Sequence, residues 1–581
     1  MPEKGLKTKK VSEDYGMLTI KTQIANAILT ALPEGSGLDA NEILDMLEYP
    51  PDLTMGDLAF PCFKLSRSLR KAPPVIAAMI GEGFSCPCVE SASVAGGYLN
   101  FKLSSDYLVS DRLSAVLADS NFGGSDIGKG KMVVLDYSSP NICKPFHIGH
   151  LGTTVIGHSL KKLHEFVGYN CYGINYLGDW GTQFGKLITA YRLWGSEEEV
   201  EKGGIDYLVD IYVRFHKEAE EDPTLNDRAR EEFHKLELGD EENLALWRRF
   251  KEISLEEYER TYKQLDITFD SYLGESFYTD KMPAEVQKLR DKDLLKIDDG
   301  ASIVDLSEYN LPPCLILKRD GSTLYPTRDI AAAVYRKDTY DFEKCIYVTS
   351  SQQSLHFAQW FKVVEMMQYP WHEQLVHVPY GTISVAGVKL STRHGNMLLL
   401  RDVFAAAIEK VDQIMAEKNP DLRDRAETAE AVGVGAVVFH YLSSTRTKDI
   451  SFILEDALSF EGNSGPYAQY TYARCCSILE KAGCNGKVTG AAIGAEEKEL
   501  IKVLSQFPER VNLALREYEP SVITRYVLDL CAAFNRFYHN CQILSAGEED
   551  VVAQRVAMVS ATKQVLGKAL ELICLRHPEK I

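Results

Sequence analysis

No apolar run in this 581-residue chain approaches the ~20 residues that a membrane-spanning helix needs. The longest, Val437–Phe439 with the glycine-spaced residues before it, is far shorter. The 13 cysteines form no framework: their number is odd and no Cys-x-x-Cys occurs. Cys86-Pro-Cys88 and Cys475-Cys476 have the wrong spacing for a common zinc site, so free thiols and no structural metal are expected. Positive charge is scarce, with 64 Lys and Arg against 83 Asp and Glu, net −19. That excludes indiscriminate binding to nucleic acid, which rests on phosphate neutralisation, but leaves room for a local basic face. The first ten residues hold four lysines but neither an apolar segment nor an arginine-rich amphipathic pattern. A cytoplasmic protein without membrane contact is expected. No repeat of 20–50 residues is visible.

What remains is ordinary globular composition, 45% hydrophobic and 25% charged, in a chain long enough for about two to four domains. Residues 1–16 read as a flexible, solvated tail. Residues 17–105 read as a small α/β domain, with a helix in "LTIKTQIANAILTAL" and an alternating strand in "GGYLNFKLS". From Lys131 the texture becomes strand–helix–strand: "KMVVLDYSS", a helix over 150–167 ended by Gly168, then "CYGINYLGD". A charged section around 195–300 has apolar residues at helical spacing and reads as a helical insertion. "ASIVDL" and "PCLILKRDG" read as further strands, "PTRDIAAAVYRK" as a helix, "KCIYVTSS" as a buried strand and "QQSLHFAQWFKVVEMM" as a helix. The fold class is therefore α/β, a doubly wound parallel sheet over 106–400 carrying the helical insertion. An all-α domain over 401–581 follows.

The chemistry concentrates in "SSPNICKPFHIGHLGTT", residues 138–154, at a strand-to-helix turn. Ligands of open parallel sheets bind beyond the carboxyl ends of the strands, where helix N-termini offer N–H groups to phosphates. His147 and His150 stand there three residues apart, and Gly149 between them lets a flat group approach the backbone. Imidazoles that stabilise charge growing on a phosphate bind the transition state in preference to the ground state. The physical reading is a nucleotide site whose α-phosphate is attacked.

"HIGH" after a first strand resembles the signature of class I aminoacyl-tRNA synthetases, and "KLSTR" (389–393) resembles their second signature, KMSKS. In order, "SSPNICKPFHIGHL", "NYLGDWGTQFG", "YPTRDIAAA", "SSQQSLHF" and "KLSTRHGN" resemble the arginyl-tRNA synthetase family specifically. The resemblance implies an ATP-dependent arginine–tRNA ligase. Arginine is first joined to AMP and then passed to tRNA(Arg), with Mg2+ entering as part of the ATP complex and tRNA needed before activation. It implies a monomer. Five ordered blocks leave less support for a class I ligase of another amino acid, a small-molecule nucleotidyltransferase or an inactive homologue.

The resemblance also implies roles. His147, Gly149, His150, Lys389 and Ser391 would bind ATP, with His147, His150, Lys144 and Lys389 catalytic. Thr392 stands where the second lysine of KMSKS is usual, followed by Arg393, and Lys144 before the first signature would take that lysine's place. Gly152 is a second departure, since an arginine commonly follows "HIGHL". Asp136, Tyr325 and Asp329 would hold the guanidinium, with Ser138, Asn141 and Gln353 at the other end of the amino acid. A planar, permanently charged guanidinium needs carboxylates in bidentate reach. From the residues alone, Asp329 could instead be a helix-N-terminal carboxylate and Tyr325 a core residue. His158 and His164 read as packing or surface residues. His356, beside Gln353, reads as either a packing or a substrate-site residue. Tyr467, Tyr470 and Tyr538 lie among arginines in a pattern suited to unstacked bases or to a helix core. The resemblance places them at the anticodon, and Tyr98 and Asn100 at the tRNA elbow.

Overall fold

The structure, a computed structural model, describes residues 20–385 and 398–581 apart from 34, 51 and 320. The expected tail over 1–16 lies outside the described residues. A helix over Ile20–Ala31 begins the N-terminal part. Its strands β1 (Leu58–Pro61), β2 (Val89–Ala95) and β3 (Tyr98–Leu103) form an antiparallel sheet with β3 in the middle. The alternation of "YLNFKL" works as a strand must: Leu99, Phe101 and Leu103 pack into the core with Ile24, Ile28 and Phe60.

Next come β4 (Met132–Asp136), the helix Gly149–Phe166 and β5 (Asn170–Ile174), a parallel unit. That helix buries Leu151, Val155, Ile156, Leu160 and Leu163, and ends where Gly168 takes φ +90°. The insertion is helical as expected: Glu197–Glu221, Thr224–Glu237 and Glu241–Leu265. Beyond it β6 (Leu295–Asp298), β7 (Ala301–Val304) and β8 (Cys314–Leu317) pair antiparallel. "ASIVDL" and "PCLILKRDG" are thus strands, but of a separate small sheet. Their connections are too short for a parallel crossover, which needs a dozen residues or more.

The helix Tyr325–Tyr340, β9 (Lys344–Ser350), the helix Ser354–Met366 and β10 (Leu375–Tyr380) complete the main sheet, in the parallel order β10-β9-β4-β5. Successive β4 residues serve both faces. Val133 and Leu135 join Ile346 and Val348 in one core cluster, while Val134 joins Ile174, Tyr347 and Trp360 in another. Apolar residues on both faces are why these strands read as continuous hydrophobic runs. The strand order reverses between β4 and β9, which puts a crevice beyond Asp136 and Ser350.

β11 (Ile383–Val385) pairs parallel with β12 (Ile450–Phe452), a short ladder that the fading strand signal after 399 did not announce. The remainder is helical from Leu400–Lys418 to Glu549–Leu572. These helices reach back to the N-terminal part through Lys21–Glu509 at 2.8 Å and Lys502–Asp57 at 2.7 Å. No helix among the described residues is long and apolar enough to cross a membrane.

Candidate active site

The segment from Ser138 to His150 crosses the reversal point of the sheet. Its path is held by one face of the insertion helix Glu241–Leu265. Ser254 Oγ accepts the Cys143 N–H at 3.0 Å, and the Tyr258 hydroxyl lies 2.8 Å and 2.7 Å from the carbonyl oxygens of Asn141 and Lys144. Cys143 takes φ +61°, a left-handed conformation that such contacts must hold in place.

His147 and His150 come together with ring centroids 3.9 Å apart. The Gly149 N–H donates to His147 Nδ1 and the His147 N–H donates to His150 Nδ1, both at 3.1 Å. Each Nδ1 therefore accepts, which leaves the proton of a neutral ring on Nε2. Burial holds both rings neutral: it lowers His147, helped by the Lys144 charge, and lowers His150 to about 3, helped by His147 and Lys144. The pair thus offers two Nε2–H donors beside the N-terminus of an 18-residue helix, with the Lys144 ammonium close enough to act on both rings. A Cβ on Gly149 would stand 2.8 Å from His147 Cε1, so a larger residue would displace the His147 ring.

Lys389, Ser391, Thr392 and Arg393 lie outside the described residues. The chain that follows them is tied to the first signature by backbone. The Ile148 N–H donates to the Leu398 carbonyl at 3.0 Å, and the Leu400 N–H donates to the Phe146 carbonyl at 2.9 Å.

On the β9 side of the crevice the helix Tyr325–Tyr340 presents Tyr325, 66% exposed, and Asp329 one turn on. Gln353 is exposed in the turn after β9, and Asn141 is exposed against Gly178. The Asp329 carboxylate meets His356 Nε2 at 2.6 Å, so His356 stands beside a candidate site residue. His158 and His164 are buried packing residues, bonded to the Tyr137 hydroxyl and the Leu160 carbonyl.

Two expectations need correction. Asp136 is buried with its carboxylate 2.8 Å from the Arg336 guanidinium and also accepts from Ser139 Oγ, so it already holds an internal guanidinium. Ser138 is 3% exposed, and its hydroxyl is shared between Thr154 Oγ1 at 2.8 Å and the Tyr262 hydroxyl at 2.7 Å. Neither is free for a ligand. The carboxylate that does stand near Asp329 is Glu275, which sequence reasoning missed. It sits on a four-residue 3-10 turn after Gly274, 3.0 Å from Arg328. Burial pushes its carboxyl up to about 7 against the pull of Arg328, with Asp329 and Asp179 adding to the rise. "LGESFY" has no periodicity or spacing that could have marked it.

In the helical part Tyr470 and Tyr538 are 41% and 39% exposed, with the Arg474 guanidinium 5.0 Å from one ring and 4.8 Å from the other. Tyr467 is half-buried and its hydroxyl accepts from Asn535 at 2.8 Å. A cavity of about 650 Å³ is lined by Tyr467, Tyr470, Arg474, Asn535 and Lys418. On β3, Tyr98 and Asn100 share a face, but Asn100 is 5% exposed between two flanking strands. Of the two residues expected at the tRNA elbow, Tyr98 is the more exposed.

A reversed parallel sheet carrying this histidine pair at its first crossover defines a class I tRNA synthetase. The family model "tRNA synthetases class I (R), catalytic domain" matches residues 112–454. The "Arginyl tRNA synthetase N terminal domain" matches 18–103 and the "DALR anticodon binding domain" 468–581. The chain is 48% identical over 550 residues to the arginine–tRNA ligase of Alkaliphilus metalliredigens, covering 94% of this chain and 97% of that one. It is 48% identical over 571 residues to that of Clostridioides difficile, covering 97% and 100%. Among solved structures it is similar to the arginyl-tRNA synthetase of Thermus thermophilus, with TM-score 0.82, 25% identity and coverage of 97% and 100%. The one from Plasmodium falciparum gives TM-score 0.81, 25% identity and coverage of 97% and 98%. The chain belongs to the arginine–tRNA ligase family.

Proposed function

We propose that the chain joins L-arginine to AMP at the expense of ATP and passes the arginyl group to the 3′ end of tRNA(Arg). The observation that carries this reading is a neutral histidine pair with two Nε2–H donors at the first helix N-terminus, beside a fold that also supplies two partly buried carboxylates, Asp329 and Glu275. The arginine carboxylate attacks the α-phosphorus of ATP, the bond to the bridging oxygen breaks, and pyrophosphate leaves. His147 and His150 donate to the α-phosphate oxygens as their charge grows. Lys144 and Lys389, with Mg2+ carried in on the ATP, balance the pyrophosphate charge, and Ser391 of the second signature binds ATP. Gly149 gives the nucleotide room.

The guanidinium lies between Asp329 and Glu275, with Tyr325 at the mouth and Asn141 and Gln353 toward the reacting end. Lysine has one compact ammonium and cannot satisfy two separated carboxylates. An unpaired buried acceptor costs about 1–3 kcal/mol or more, so discrimination needs no editing step. Tyr467, Tyr470, Arg474 and Tyr538 receive anticodon bases by stacking, and Tyr98 meets the tRNA elbow. We read the working unit as a cytoplasmic monomer of four parts: tail 1–16, elbow domain 17–105, catalytic domain 106–400 and anticodon domain 401–581.

ATP–pyrophosphate exchange tests this reading, with arginine or lysine, each with and without tRNA(Arg). Exchange with arginine but not lysine is expected, and only when tRNA is present. Exchange with arginine alone would remove the tRNA requirement, and equal exchange with lysine would overturn the assignment of the amino acid.

A further inference from the structure

Asp179 is the most fully committed carboxylate near the site, yet no step above uses it. It stands just beyond β5, with 0% exposure. Its Oδ1 accepts the Ser276 N–H at 2.9 Å, and its Oδ2 accepts from Ser276 Oγ at 2.9 Å and from Lys251 Nζ at 2.7 Å. Its carbonyl accepts the Trp247 Nε1–H at 2.8 Å. Trp247 and Lys251 are one turn apart on the insertion helix, so that helix grips Asp179 at both main chain and side chain. A buried carboxylate is tolerated only when paired and hydrogen-bonded, and here each oxygen is.

What it holds is the turn that carries Glu275. The neighbouring Glu275 N–H donates to the Leu177 carbonyl at 3.0 Å. Gly274 is pressed so close that a Cβ would stand 2.5 Å from both Asp179 Oδ1 and the Leu177 carbonyl oxygen. A four-residue 3-10 turn has little intrinsic stability, so its position depends on such ties.

We propose that Asp179 is a positioning residue for amino-acid specificity: it locks the Gly274–Ser276 turn so that Glu275 stands across the crevice from Asp329. This rests on the reading that Glu275 and Asp329 receive the guanidinium. The charged and titratable groups facing Glu275 are Arg328 and Asp329 from the helix Tyr325–Tyr340, Asp179, and Tyr176 from the end of β5. Lys251 stands behind Asp179 on the insertion helix. Asp179 therefore acts on Glu275 through both geometry and charge, and its negative charge helps raise the Glu275 carboxyl.

The test is the pH profile of kcat/KM for arginine, with KM for ATP as the internal control, in the full chain with tRNA(Arg). Glu275→Gln is expected to raise KM for arginine and abolish the acid limb near pH 7. Asp179→Asn removes the negative charge and leaves Lys251 uncompensated, and both changes favour ionised Glu275. It is expected to move the acid limb to lower pH while raising KM for arginine about tenfold and leaving KM for ATP unchanged. Lys251→Met leaves Asp179 uncompensated and is expected to move the limb the other way. It serves equally if Asp179→Asn does not fold. A Glu275→Gln protein with normal KM and an intact limb would remove the underlying reading. A normal response to Glu275→Gln, with an unmoved limb in folded Asp179→Asn or Lys251→Met, would overturn the role of Asp179 alone.

Discussion

The carboxylate of Asp136 and the guanidinium of Arg336 meet at 2.8 Å, with their side chains 8% and 1% exposed. Around them the rings of Tyr176 and Tyr347 lie 5.2 Å and 5.4 Å from the guanidinium carbon. Arg336→Met strands a buried carboxylate and is expected to destabilise the protein by about 3–5 kcal/mol. Asp136→Asn with Arg336→Met together should cost less than Arg336→Met alone. Chemical denaturation of the two variants checks this, and a double variant as unstable as the single one would contradict it.

The two histidines of the pair are neutral rings with Nδ1 accepting. His150→Ala removes one Nε2–H and is expected to slow arginine-dependent pyrophosphate exchange about 10²–10³-fold. With its ring pushed to about 3 by burial, His150 titrates far below the working range. The exchange rate between pH 6 and 9 should therefore show no transition from this residue, and one abolished by His150→Ala would refute the neutral assignment.

Asp329 Oδ2 meets His356 Nε2 at 2.6 Å, and the proposed arginine contact falls to the same carboxylate. Asp329→Ala is expected to raise KM for arginine on the order of 100-fold, the loss of a charge-assisted contact of about 2–3 kcal/mol. KM for ATP should stay within about twofold, the margin of a surface change. Steady-state kinetics in both substrates decides it.

Removing the cation between two exposed rings tests the anticodon face. Arg474→Ala takes a guanidinium from between Tyr470 and Tyr538 and is expected to raise KM for tRNA about tenfold, within the ~1–3 kcal/mol of one stacked base. KM for arginine should not change.

Gly152 is where the family usually has arginine, and a Cβ there would stand 2.1 Å from the Tyr441 hydroxyl oxygen and 3.0 Å from Tyr380 Cε2. Gly152→Ala is expected to cost about 1–3 kcal/mol by overpacking. Tyr441→Leu in the same chain should recover part of the loss, read as the melting temperature. The departure at 152 is thus filled in space by a ring from another helix.

Where local physics suffices, the sequence was legible. Apolar residues on both faces of β4, the 3.6-residue pattern of Gly149–Phe166 and the alternation of β3 each follow from burial and backbone geometry within a few residues. His147, Gly149 and His150 were legible because a strand-to-helix turn fixes their neighbours along the chain. The antiparallel pairing of β6, β7 and β8 was not, since the same apolar runs serve either kind of sheet.

The sequence by itself determined the parallel sheet, the helical C-terminal part and the histidine pair at the strand-to-helix turn, because periodicity and turn geometry act over short stretches of chain. Only the tertiary structure decided which carboxylates are fully buried and which, like Glu275 beside Arg328, keep some exposure. Asp136 lost its candidacy to Arg336, 200 positions away, and Glu275 gained its place through Asp179, 96 positions away. A charge buried in a low-dielectric interior is committed by whatever partner the fold brings to it, and that partner leaves no mark on the sequence around it.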